Sequence, residues 1–486
     1  MATVVWFRRD LRLADHAALA AAVDRDKAVV PVFVWDPDAA GQWTPGAAHR
    51  WWLHESLVVL GESLEALGST LVIRSGETLS ELQSLIESVG ADALFFQNVY
   101  TPHARALSAG VRSALEDDGI LVREFAGQLL HEPDAIRTGQ GGPYQVFTPF
   151  WKAVRRLLEV PPALPAPAFK SEHAPATWPP GLSPDELLLT PRQQDGDDWA
   201  EEIAREWTPG EDEAHRRLDW FIDEALIDYA DHRNIPDRDG TSRLSPHLHH
   251  GEISPRQIWH AVNGWVRNAA MRDAADVFLS EIGWREFAYH VLHHFPDTPT
   301  APLKTKYEAF PWEDDAPGLD AWQRGATGFP IVDAGMRQLW RIGWMHNRVR
   351  MIVASFLTKD QLIPWQRGTE WFWDTLVDAD LANNTLGWQW SAGCGADAQP
   401  FFRIFNPVSQ GEKFDPHGRY VRHWCPELAA LPDRWIHRPW EAPESILKSA
   451  GVELGVTYPR PVVDHSEARR RALEALDVMK GQEKNT

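Results

Sequence analysis

Apolar residues in the first 127 positions come in short, dense runs: Val4–Phe7, Val29–Trp35, Thr70–Ile73, Ala93–Phe96 and Ile120–Phe125. Each run is too short for a helix and too continuously apolar for a strand with one wet face. Each therefore predicts a strand buried on both sides. Between the runs the apolar spacing lengthens towards three and four, as at Trp51, Leu53, Leu57, Leu60, Leu64 and Leu67, which marks one face of a helix. Five buried strands separated by helices predict a doubly wound, parallel five-stranded sheet over residues 1–127.

The pattern then changes twice. Residues 128–205 lose periodicity, and prolines crowd between Pro161 and Pro191. That stretch predicts an extended connector lying over a surface, with its start packed through the aromatic residues of Tyr144–Trp151. From Thr208 the spacing becomes helical and stays so to about Lys480. Thr208-Pro209 followed by Glu211 and Asp212 predicts a capped helix start, and an amphipathic helix over Ser466–Met479 closes the chain. The expected organisation is α/β followed by all-α: an α/β domain at 1–127, a connector at 128–205 and an all-helical domain at 206–486.

Composition agrees with this picture. A chain of 486 residues exceeds one compact core, and 44% hydrophobic with 24% charged residues describes an ordinary soluble protein. Cys394 and Cys425 are too few for a disulfide framework, so free thiols in a reducing cytoplasm are expected. Charge arrives too early for a secretory leader, no apolar run reaches membrane-spanning length, and a monomer is expected. A net charge of −21 argues against nucleic-acid binding by the surface as a whole. A local basic patch stands out nonetheless: Arg337, Arg341, Arg348 and Arg350, flanked by Lys304, Lys306, Arg403, Lys413, Arg419 and Arg422. Most of the 25 tryptophans are expected to fill cores.

Candidate chemistry concentrates late in the chain. No Gly-x-Gly-x-x-Gly and no Walker loop follows the first strand; Arg8-Arg9-Asp10 stands there instead. Gly240–Pro246 combines hydroxyls, an arginine and a Ser-Pro helix start, which suits either an anion site or a plain capped loop. Glu281, Trp284 and Arg285 fall at i, i+3 and i+4, on one helix face. Asn347 and Met351 are four apart and point the same way. Asp378-Ala379-Asp380 matches a weak metal motif or a paired acid network. Trp388 and Trp390, two apart, point to different sides. These residues alone predict a deep polar and aromatic pocket in Gly343–Pro407, which leaves a carbohydrate-active enzyme with paired acids open.

The ordered motifs Trp-Phe-Arg-Arg-Asp-Leu-Arg, Gly-Thr-Ser-Arg-Leu-Ser-Pro, Trp-Arg-Glu-Phe, Gly-Trp-Met-His-Asn-Arg, Asp-x-Asp-Leu, Gly-Trp-Gln-Trp and Arg-Ile-Phe-Asn-Pro resemble the DNA photolyase/cryptochrome family over nearly the whole chain. The resemblance implies an α/β domain, a connector and a helical domain that holds FAD. It implies light-driven repair of cyclobutane pyrimidine dimers, or, as the alternative, a cryptochrome-like photoreceptor that binds FAD without repair. By the same resemblance, Tyr229, Thr241, Ser242, Leu244 and Ser245 meet the FAD phosphates and sugar, with Arg243 in the same run. Arg285, Arg350, Asp378 and Asp380 line the flavin pocket, Arg350 as the partner of Asp378, and Asn384 faces flavin N5. Trp388, Trp365 and Trp312 match the tryptophan chain that conducts electrons from the surface. Glu281, Trp284, Asn347, Met351 and Trp390 match the dimer cavity, and Arg233, Gln410 and Lys413 match DNA contacts.

Asn347 after His346 departs from six-four photolyases, which carry a second histidine there, so cyclobutane dimers are the expected substrate. The chain stops shortly after the family core, which argues against a dedicated signalling receptor. For the antenna, His249 stands where a deazaflavin-holding lysine would be, and Gly46 near the place of a folate-binding histidine. Trp51-Trp52 with His247–His250 resembles the class III branch. Methenyltetrahydrofolate is therefore expected over 8-hydroxy-5-deazaflavin.

Overall fold

The computed structural model describes residues 2–157, 159–189 and 199–483. They form two compact units, each drawn from separated stretches of chain. The first comprises Met1–Ile227, Ser242–Pro296 and Val377–Asp380; the second comprises Asp228–Thr241, Asp297–Leu376 and Leu381–Thr486. No helix among the described residues is long and apolar enough to cross a membrane.

The first unit is built on the expected sheet. Strands β1 (Ala2–Phe7), β2 (Ala28–Trp35), β3 (Val72–Ser75), β4 (Ala91–Gln97) and β5 (Leu121–Phe125) run parallel in the order β3-β2-β1-β4-β5. Side chains alternate along a strand, so β1 feeds two cores. Val5 and Phe7 join Leu19, Leu57, Leu60 and Phe95 on one face. Val4 and Trp6 join Val32, Leu82, Leu85, Phe96 and Val111 on the other. Burying each such side chain contributes roughly 1.5–3 kcal/mol, which is why the central strands β1 and β2 are almost wholly apolar; β5, at one edge, carries exposed Leu121 and Arg123 and is not buried on both sides as expected. Pro31 is tolerated inside β2 because pairing with β3 begins only at Val32↔Val72, so its missing N–H removes no bond on that side.

The expected connector lies along this sheet. Leu182 N–H donates to the Ile73 carbonyl of β3 (2.9 Å), and Phe169, Leu187 and Leu189 pack on one core. Its regular structure between 161 and 189 is limited to two short turns, Ser171–His173 and Pro184–Leu187; the remainder of the expected Pro161–Pro191 stretch lies outside the described residues.

The expected cap at Thr208 is corrected. The helix runs Glu211–Trp220 with Gly210 in the cap position, at φ 118°, and no side-chain cap. A Cβ on Gly210 would fall 2.7 Å from Val59, so contact with a distant helix sets this start. Ser245 is likewise the first residue of a short helix, Ser245–His250, whose cap position is Leu244. Ser254, by contrast, forms a capping box with Gln257.

The second unit is helical. Its main elements include Pro330–Ile342, Asn347–Ser355, Trp365–Thr375, Leu381–Ala392, Pro407–Phe414 and His465–Glu483. Among the described residues no strand follows Phe125, only an isolated bridge between Leu454 and Tyr458. Cys394 and Cys425 are free and buried.

Candidate functional site

In the first unit, the long helix Ala269–His294 carries Glu281, Trp284 and Arg285 on one face, as the spacing predicts. The Trp284 ring stacks on Phe147 with centroids 3.9 Å apart and planes 12° from parallel. One indole face is thus covered by protein. Gly283 brings the Phe147–Leu157 helix in close: a Cβ there would fall 2.6 Å from the Trp151 ring. Arg285 is buried, donates to the Gln128 carbonyl (2.9 Å) and lies over the Tyr289 ring.

Asp380 is the electrostatic centre of this unit. Its carboxylate accepts a hydrogen bond from the Tyr289 hydroxyl and faces Arg9 Nη1 at 3.7 Å and His249 Nδ1 at 3.5 Å. Burial raises the carboxyl pKa. The His249 contact and the charges of Arg9 and Arg285 outweigh burial and hold Asp380 well below the usual carboxylate range. His249 is itself lowered by burial and by Arg9, so it is neutral at pH 7. Its Nε2 stands 2.9 Å from His49 Nδ1. With His249 Nδ1–H turned to Asp380, Nε2 accepts from His49. These contacts identify Asp380 as part of a buried ion and hydrogen-bond network, and the metal reading of Asp-x-Asp is set aside.

Gly240–Ser245 is a strained turn. Arg243 adopts φ 52°, a left-handed conformation uncommon for a side chain of its size. Its guanidinium lies over Trp207 (4.4 Å) and pairs with Glu206 (2.5 Å). The Ser242 carbonyl accepts from Arg217 Nε (2.9 Å). The Arg243 charge is therefore engaged with protein.

Trp51, Trp52 and His247–His250 are packed among themselves. Trp52 stacks on His250 (5.7 Å, 17°) and donates to Glu252 (3.0 Å). His247 bonds Glu252 (2.5 Å) and His250 faces the Val377 carbonyl (3.3 Å). All four of these residues are buried. This cluster is a closed core.

In the second unit, the Asn347–Ser355 helix is capped by His346, whose side chain accepts from Arg348 N–H. Burial, aided by Arg348, Arg350 and Arg233, lowers the His346 pKa to about 3. Asn347 is exposed and Met351 half-buried, on the shared face that their spacing predicts. Arg350 donates from Nε to the Met345 carbonyl (2.7 Å). Arg348 holds Asn234 (2.8 Å) and lies over Phe414. Arg233 lies over the Tyr229 ring at 5.3 Å. Gln410 and Lys413 sit on the Pro407–Phe414 helix, Lys413 exposed.

Asn384 Nδ2 donates to the Thr369 carbonyl (3.2 Å), which ties the Leu381–Ala392 helix to Trp365–Thr375. Trp388 is buried edge-to-face against Phe372 (5.0 Å) and Trp322 (6.0 Å). Trp365 is buried, whereas Trp390 and Trp312 are half-buried. Trp312 borders a cavity of about 180 Å³ that Glu313, Asp314, Asp315 and Arg367 also line.

In the second unit Thr385 Oγ1 and Trp388 Nε1 are solvent-excluded donors with no hydrogen-bond partner. Buried donors are seldom left so. Such donors fit a ligand that offers acceptors, as FAD does. Arg9, Tyr289, Gln128 and Phe147 are absent from the site residues expected from the sequence, although Phe147 lies in the aromatic stretch Tyr144–Trp151 expected to pack. Tyr289 alone had a local signal, lying four residues past Arg285 on the same helix.

The comparisons with known proteins agree with this arrangement. Residues 3–168 match a model described as DNA photolyase, and residues 278–478 one described as the FAD binding domain of DNA photolyase. The chain is 51% identical to a deoxyribodipyrimidine photo-lyase of Agrobacterium fabrum, over 98% of each chain. It is 42% identical to cryptochrome-2 of Arabidopsis thaliana, over 98% of this chain and 78% of the relative. The crystal structure of a class III photolyase from Agrobacterium tumefaciens superposes with a TM-score of 0.94 at 50% identity, covering 99% of this chain and 98% of the other. With matches of this extent the chain belongs to the DNA photolyase/cryptochrome family.

Proposed function

We propose that this chain repairs cyclobutane pyrimidine dimers in DNA under blue light, with FAD as its cofactor. The observation that carries the reading is the near-full-length match to a deoxyribodipyrimidine photo-lyase. Tyr229, Thr241, Ser242, Leu244, Ser245, Arg285, Arg350, Asp378, Asp380 and Asn384 would hold the cofactor, with Arg243 fixing the turn that presents the hydroxyls. When bound, FAD supplies light-driven electron donation to the dimer and takes the electron back after the ring splits.

The protein groups have distinct tasks. A dimer must leave the base stack to be reached, and its distortion of the duplex lowers the cost of flipping. Trp284, with Phe147 stacked behind it, presents its other indole face as a plate for a flipped base; Trp390 is the second plate. Asn347 donates from its amide to a pyrimidine carbonyl, and Glu281 hydrogen-bonds the polar edge of the dimer. Both bonds strengthen as the dimer gains negative charge. Met351 fills the remaining apolar wall. Arg233, Gln410 and Lys413 meet phosphates of the flanking DNA, and Trp312, Trp365 and Trp388 carry electrons inward to restore the reduced cofactor. A methenyltetrahydrofolate antenna is part of the reading, at a place other than the closed Trp52–His250 cluster; the absorption spectrum of the purified protein tests it.

The deciding experiment illuminates the chemically reduced protein with an oligonucleotide carrying one thymine dimer. Dimers should disappear in the light and persist in the dark. Persistence in the light overturns the reading. The match to cryptochrome-2 favours a second one, a photoreceptor without repair, which predicts flavin photoreduction and no preference for the lesion.

A further inference from the structure

We propose that Asp134, His293 and His294 form a binding site for a divalent metal ion of the zinc type. All three belong to the first unit: His293 and His294 end the Ala269–His294 helix, and Asp134 lies in the Pro133–Ala135 turn. One potential ligand atom from each lies within 4.8 Å of the others. His293 Nε2 is 2.9 Å from an Asp134 carboxylate oxygen. Ligand atoms on a tetrahedral zinc with bonds of about 2.0 Å stand roughly 3.3 Å apart, so this pair already has nearly the spacing of a chelate.

The ring nitrogens are prepared for the task. His294 Nε2 is shielded from solvent and has no hydrogen-bond partner. His290, one turn earlier, has both nitrogens engaged. Nε2 accepts from Tyr144 N–H (2.9 Å), so Nδ1–H donates to the Pro133 carbonyl (3.3 Å). It is a support for the turn and not a ligand. Two imidazoles and one carboxylate, with water in a fourth position, make a mixed donor set suited to zinc. The ion would clip the turn at Pro133–Ala135 to the helix that carries Glu281, Trp284 and Arg285.

A built-in competitor makes the proposal easy to test. Arg137 pairs with the Asp134 carboxylate, and an incoming cation must displace it. The test titrates the FAD-containing protein with Zn²⁺ against a coloured chelator. One equivalent should bind. His293→Ala and His294→Ala should each weaken binding tenfold or more, whereas Arg137→Gln, which frees Asp134, should tighten it several-fold. The gain in Arg137→Gln keeps the idea testable should a histidine variant fail to fold. Absence of saturable Zn²⁺ binding, parent-like affinity in both histidine variants, or unchanged affinity in Arg137→Gln would overturn it.

Discussion

Asp380 is a single residue on which several others depend. Its carboxylate is buried and shared by Tyr289, Arg9 and His249. Asp380→Asn removes the counter-charge from Arg9 and turns one acceptor oxygen into a donor. Breaking a buried pair from one side costs about 3–5 kcal/mol; Arg9 is partly exposed, so about 2–3 kcal/mol is expected, with weaker FAD retention. Thermal melting and the flavin-to-protein ratio check this, and a variant with parent melting and full flavin would contradict it. Glu281→Ala is expected to do the opposite, since Glu281 is half-buried on the face it shares with Trp284. Flavin should stay bound while the repair yield falls by several-fold or more, measured as dimers lost per absorbed photon. The face holding Glu281, Trp284 and Arg285 was legible in the sequence because a helix makes i, i+3 and i+4 neighbours. The Arg9–Asp380 contact was not, because the two residues are joined only by the closure of the fold.

Between elements, the tightest constraint is the crossing of Trp365–Thr375 with Leu381–Ala392. Gly368 has no Cβ, and one placed there would lie 2.0 Å from the Trp388 ring. The indole is buried and walled by Phe372 and Trp322, so it cannot swing aside freely. Gly368→Ala is therefore expected to cost about 1–3 kcal/mol through overpacking and to move the indole. Trp388→Phe, which keeps the packing but removes the indole, is expected to block light-driven reduction of oxidised flavin while sparing repair by chemically reduced protein. Gly368→Ala should slow the same photoreduction, followed as bleaching of the oxidised flavin band; parent-rate bleaching in both variants would refute the electron route. The strands were legible to within two residues, since apolar runs mark the buried segments of β1, β2 and β4; β3 ends on exposed Ser75, and β5 carries exposed Leu121 and Arg123. The helix start at Gly210 was not, because the approach of Val59 decides it over the local Thr-Pro signal.

At the scale of the whole molecule, the chain order suggested domains that end where the pattern changes, yet the compact units take Val377–Asp380 from deep within the helical stretch into the first unit. Periodicity reports what an element faces, and it carries no address for a four-residue segment. The same burial that builds these units sets their response to acid. Ten histidines among the described residues have pKa values lowered chiefly by burial, to about 4 at His103 and about 3 at His290 and His346, with His49, His131, His249, His250, His293, His294 and His437 shifted the same way. Burial favours the neutral form of each in the folded state, so unfolding takes up protons once the pH is below about 6.5. The unfolded chain thus binds more protons, so stability rises with pH across this window and is lost as pH falls towards the folded values. Buried carboxyls oppose this. Glu286, raised by burial to about 8, and Asp415, raised to about 6, hold protons in the folded state, and Asp333 and Asp360 are raised as well. Their contribution fades as pH rises, as does that of His54, raised by its bonds to Glu55 and Asp185, but four acids and one histidine do not offset ten histidines. The melting temperature should therefore fall on the order of 10 °C between pH 7 and pH 5, before unfolded-state carboxylates begin to titrate. Scanning calorimetry across that range provides the measurement, and a flat or rising profile would show that the histidines are not held neutral by burial.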